Sequence, residues 1–212
     1  MRRWLTPLWR GPVRRGPSLD VLLEPGFVAL DLETTGLDPR RDAVVAAAAV
    51  PVRGGVPQPG YETLVDPGRP IPASSSAIHG ITDAMVRGAP AIGSVLESLT
   101  RAWGDAVLVG HGVSFDLAIL AREAIAHGRR LPGNPVVCTM QLTAALHPDW
   151  PDVTLDTVAA RLGVVIRDRH TPRGDAEAAA AILVALLPRL RERGVTALGE
   201  LLWLQSSARL AP

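Results

Sequence analysis

No lysine occurs among the 212 residues, so every basic side chain apart from histidine is an arginine, the type suited to bidentate contacts with phosphate. A single cysteine, Cys138, excludes an internal disulfide. Hydrophobic residues make up 47% of the chain, yet no apolar run approaches the roughly 20 residues that a bilayer-spanning helix needs. The basic opening, MRRWLTPLWRGPVRRGP, has no apolar h-region and no small-residue cleavage site, which excludes a secretory signal. A soluble, cytoplasmic protein is expected. A global positive field is missing too. Five arginines (Arg2, Arg3, Arg10, Arg14 and Arg15) lie in the first 15 residues, and the remainder sets 17 arginines against 21 acids. Attraction of a polyanion to that mildly acidic body must come from bound cations and local arginines.

The most informative stretch is Phe27 to Gly36, FVALDLETTG. Its apolar start reads as a strand covered on both faces, and Asp31 and Glu33 break the pattern at its end. Side chains at i and i+2 share a face, roughly 7 Å apart along the strand. Two carboxylates there repel each other and are costly to bury, which a bound cation offsets. An isolated Asp-x-Glu is more often a solvated acidic turn, so its weight depends on further acids and histidines downstream in the chain.

The length fits one domain with a short appendage. Residues 1 to 26, rich in Arg, Pro and Gly with Trp4 and Trp9, read as an arm or linker, either a solvated tail or a segment that contacts nucleic acid or docks a protein partner; residues 27 to 206 form the domain. Ala43 to Pro51, a turn at Gly54-Gly55, and Gly60 to Asp66 predict an antiparallel meander on the first strand. Helical periodicity covers Ala91 to Trp103, then come a buried strand over Ala106 to Gly110 and a helix from Ser114 to His127 with Ile125 inward. Another short strand is predicted over Asn134 to Thr139. Helices are predicted from Met140 to Leu146, after the cap Thr154, over the alanine-rich Asp175 to Leu190, and over Thr196 to Ser206. A meander succeeded by strands interleaved with helices indicates an α/β domain with a mixed central sheet.

Three further stretches place polar residues at element ends: His79-Gly80-Ile81-Thr82, His111-Gly112-Val113-Ser114-Phe115-Asp116, and His170-Thr171-Pro172-Arg173-Gly174-Asp175. Each acid alone could simply complement a helix dipole. The order Asp-x-Glu-Thr-Thr-Gly, His-x-x-x-Phe-Asp and His-x-x-x-x-Asp, with Ile78 to Thr82 between, resembles the DEDDh, or DnaQ-like, 3′-to-5′ exonuclease family over about residues 27 to 190. The resemblance implies a ribonuclease H-like fold. It also implies Asp31, Glu33, Asp116 and Asp175 as ligands of two Mg²⁺ or Mn²⁺ ions, with His170 as general base. Two such ions, about 4 Å apart, activate water and neutralise the charge on the departing oxygen. Leu32, Thr34, Thr35, Gly36, His79, His111 and Phe115 would then line the terminal nucleotide.

The implied substrate is the 3′ end of single-stranded or frayed DNA, with RNA trimming or non-catalytic nucleic-acid binding as alternatives. One departure stands out: Gly112 replaces the family's usual Asn, which removes a hydrogen bond near the scissile strand but no metal ligand. Where a polymerase-bound subunit carries a C-terminal tail, only Leu201 to Pro212 remains here, and Gln205 lacks the hydrophobic spacing of a clamp-binding motif. On sequence alone, a stand-alone repair enzyme is therefore as well supported as a replicase subunit.

Overall fold

A computed structural model describes residues 17 to 208. Its centre is one six-stranded mixed sheet. β1 (Phe27–Thr34) pairs antiparallel with β2 (Val44–Arg53), and β2 carries both β3 (Val56–Pro57) and β4 (Tyr61–Leu64) on its outer edge. On the other side of β1, β5 (Val107–Gly110) and β6 (Val136–Cys138) run parallel. The expected meander is present, with both return strands sharing the β2 edge.

Alternation along β1 divides the core. Phe27 and Ala29 face α7 (Pro172–Glu192), together with side chains of α5 (Thr139–Leu146), α6 (Leu155–Leu162) and α8 (Leu198–Ser206). Val28, Leu30 and Leu32 face α3 (Ile92–Trp103) and α4 (Ser114–Ala126). The alanine run of β2 and the alanines of α7 are nearly all buried, which lets the helix lie close on the sheet without an intervening layer of long side chains. By the same alternation Asp31 and Glu33 fall on the α7 face.

Several expectations are corrected. The arm or linker expected over residues 1 to 26 does not hold for its described part: a 3-10 turn, Leu19–Leu22, buries Leu19 and Leu22 in the core, and Ser18 bridges to Ala197. Trp4, Trp9 and the five arginines lie outside the described residues. Ile125 is 71% exposed, and Ile119 takes the inward position instead, because the inward stripe of α4 runs through Asp116, Ile119, Leu120 and Ala124. α7 begins three residues earlier than expected, since Pro172 at its first turn is pre-set for helix and Thr171 caps it by accepting from Gly174 N–H at 3.1 Å. His79 is the last residue of a short helix, α1 (Ala73–His79), which precedes the single turn α2 (Asp83–Val86). Gln205 is taken up by the sheet edge: its amide accepts from Cys138 N–H at 3.0 Å and donates to the Val136 carbonyl at 2.8 Å, closing the open side of β6.

Candidate active site

Three elements converge at the C-terminal end of β1. β1 supplies Asp31 and Glu33, the first turn of α4 supplies Asp116, and the first turn of α7 supplies Asp175. Oxygens of Asp31, Glu33 and Asp175 all lie within 4.8 Å of one another. Asp116 and Asp175 are each only 6% exposed.

Burial dominates the electrostatics. It pushes the Asp31 carboxyl well above the ordinary range, and Asp116, Asp175 and Glu33 push it further. Burial also lifts Glu33 to about 7 and Asp116 to about 7, and raises Asp175. Converging oxygens that resist ionisation are what a hard cation would relieve, and the set contains no Cys or His, so its chemistry fits Mg²⁺ or Mn²⁺.

The side chains around this cluster have distinct tasks. Thr34 Oγ1 donates to the Gly36 carbonyl at 2.7 Å, while Thr35 Oγ1 donates to Asp42 at 3.0 Å and accepts from Ala43 N–H. A Cβ on Gly36 would come within 2.6 Å of the Asp42 carboxylate, so glycine is required for that turn. Leu32 is buried, and Phe115 packs partly against the same α3 and α4 core. The side chains of Leu32, Thr34 and Thr35 therefore build the turn and its support, and the Thr35 backbone is held as well, its N–H donating to the Ala43 carbonyl at 2.9 Å and its carbonyl accepting from Ser75 Oγ at 2.8 Å.

The expected substrate role of His111 does not survive. Its Nε2 donates to the Val153 carbonyl at 2.8 Å and its Nδ1 meets Thr139 Oγ1 at 3.0 Å, so neither nitrogen is left for a ligand. Burial pushes this ring down to about 4 and keeps it neutral. It pins the loop before α6. Gly112 has φ +76°, the left-handed region that glycine and asparagine tolerate best, and a Cβ there meets Met140 at an ordinary 3.7 Å.

His79 behaves differently. Its Nδ1 accepts from Ile81 N–H at 3.0 Å, which puts the proton on Nε2, and that N–H is buried beside the Thr34 carbonyl without a well-formed hydrogen bond. Burial and nearby His170 lower its pKa. A cleft of about 420 Å³, lined by Ala46, Glu62, His79, Met85 and His170 among others, opens beside it. His170 sits on the loop before α7 with φ +64°, and its backbone N–H reaches Asp175 at 3.3 Å.

Sequence reasoning missed Arg169 and Asp156. Asp156, in the first turn of α6, holds Arg169 through Nε at 3.0 Å and Nη2 at 3.0 Å, and Arg169 Nη1 lies directly on Asp175 Oδ2. Asp156 looks in the sequence like any acid that complements a helix dipole, so only the contact identifies it.

The exonuclease family model matches residues 28–183. A DNA polymerase III subunit epsilon-like protein of Rhodobacter capsulatus is 44% identical over 181 residues, which are 83% of this chain and 26% of that protein. The PolC-type DNA polymerase III of Bacillus subtilis is 31% identical over 87% of this chain and 13% of its own length. The chain thus spans about a quarter or less of these curated relatives. Exonuclease X bound to 5′-overhanging duplex DNA superposes with a TM-score of 0.62 at 25% identity, covering 84% of this chain and 99% of that one. Exonuclease I, at 18% identity and a TM-score of 0.68 over 79% of this chain and 42% of its own, shares the fold.

Proposed function

The chain belongs to the exonuclease family, and on that basis we propose that it hydrolyses phosphodiester bonds from the 3′ end of nucleic acid, with single-stranded or frayed DNA as substrate. The observation that carries this reading is the convergence of Asp31, Glu33 and Asp175 oxygens, with Asp116 buried beside them. Four carboxylates so placed would hold two divalent ions, Mg²⁺ or Mn²⁺. Bound there, the ions supply Lewis acidity and neutralise charge on the departing 3′ oxygen.

The protein's own groups do the rest. His170 is the base that takes the proton of the attacking water, and its loop site leaves the ring beside the cleft. Nε2–H of His79, buried beside the Thr34 carbonyl without a well-formed bond, donates to an oxygen of the terminal nucleotide. The backbone of Leu32 to Gly36 forms the floor under the terminal sugar. The arginines of residues 1 to 15 add phosphate contacts.

A panel of 5′-labelled single-stranded DNA, mismatched duplex DNA and short RNA tests the proposal, with wild-type protein, Asp31→Ala, and chelator as arms. Stepwise shortening of the DNA from its 3′ end, abolished in the variant and by chelator, is the expected result. Undiminished cleavage in chelator, or RNA as the preferred substrate, refutes the corresponding part.

A further inference from the structure

Arg169 is a cation placed among groups assigned to metal and proton chemistry. Its guanidinium is shared: two nitrogens grip Asp156, and the third lies on Asp175 and also 3.2 Å from His170 Nδ1. Arginine can only donate, so in that arrangement His170 Nδ1 must accept and the neutral ring carries its proton on Nε2. One side chain therefore engages both a metal ligand and the base.

We propose that Arg169 is the site's internal counter-cation, competing with divalent metal for Asp175, and that Asp156 is the anchor onto which it retracts when metal binds. The inference rests on the assignment of Asp175 as a metal ligand. Asp156 is suited to the anchoring task because it lies outside the four-carboxylate set and its side chain is 62% exposed, so it can hold the full charge of Arg169 without being buried with it. The grip is bidentate, the arrangement that fixes a guanidinium most firmly. The anchor is itself held, because His111 ties the Val153 carbonyl, Thr154 caps α6 by accepting from Thr157 N–H, and Asp152 accepts from Thr154 N–H at 2.8 Å. With Arg169 drawn back to Asp156, Asp175 Oδ2 is released to the cation and His170 Nδ1 loses its enforced donor. Asp156 and Arg169 are thus positioning residues, acting through Asp175 and His170.

The test is a Mn²⁺ titration monitored by electron paramagnetic resonance on the full chain without nucleic acid. It compares wild type, Arg169→Met, Asp156→Asn and the double variant. Removing the competitor should tighten Mn²⁺ binding roughly tenfold. Removing only the anchor should weaken it roughly tenfold, since Arg169 then depends on Asp175 alone. The double variant should bind like Arg169→Met, because Asp156 acts only through Arg169. Equal affinity in wild type and Arg169→Met overturns the proposal, and so does a loss in Asp156→Asn that persists in the double variant. Should Arg169→Met not fold, the exposed Asp156→Asn keeps the test open, and unchanged affinity there overturns it. A wild type that binds no Mn²⁺ at all instead refutes the metal assignment on which this inference stands.

Discussion

Manganese affinity is expected to fall steeply as pH drops from 7 to 5. Burial lifts Asp116 from 3.8 to about 7 and Glu33 from 4.5 to about 7. Cation binding must displace those protons, so each such group costs about tenfold in affinity per pH unit below its own value. Over two units one group weakens binding roughly 10²-fold, and both together at most roughly 10⁴-fold. Carboxyls at their ordinary values would still be ionised at pH 5, and affinity would change by less than about twofold.

The assay is a Mn²⁺ titration at pH 5, 6 and 7 at constant ionic strength, with thermal melts in Mn²⁺ and in chelator alongside. In chelator, carboxyls with raised values hold protons in the folded state that the unfolded chain has released. Their stabilising contribution is present below about pH 4 and is lost as pH rises through about 7. His111 runs the other way: depressed to about 4, it removes stability as pH falls from 6.5 towards 4. The difference between the Mn²⁺ and chelator melts cancels the His111 contribution and isolates the carboxylates. A Mn²⁺ affinity constant within about twofold from pH 7 to pH 5 would refute the reasoning.

Replacing His170 with alanine should lower turnover at saturating Mn²⁺ roughly 10²- to 10⁴-fold while leaving Mn²⁺ affinity nearly intact; a near-normal rate would assign the proton to another group. Gly174→Ala tests the loop that carries His170. A Cβ there would meet the Asp168 carbonyl oxygen at 2.2 Å and that of Arg167 at 2.4 Å, both backbone, so the loop must move. The expected cost is about 1–3 kcal/mol of stability, with turnover down at least tenfold; wild-type turnover in a folded variant would show that the loop's position is not critical.

Much of the architecture was legible in the chain. The FVALDLETTG stretch announced a buried strand with two acids on one face, because strand periodicity is a local property of the backbone. The order of strands and helices indicated the mixed sheet for the same reason, and the spaced His and Asp motifs marked the elements that carry the cluster. Packing decided what local pattern could not. His111 looks like a site residue in the sequence, yet tertiary contacts at both nitrogens turn it inward as a pin for the α6 loop. Residues 17 to 26, whose composition reads as linker, supply Leu19 and Leu22 to the core, because a 3-10 turn has too short a period to register as an amphipathic pattern. Asp156 and Arg169 stand 13 positions apart and meet only when α6 and the loop before α7 come together. Such a long-range charge pair leaves no trace in sequence spacing. Its partners are set by which helices share a face of the sheet, and that is a property of the whole fold.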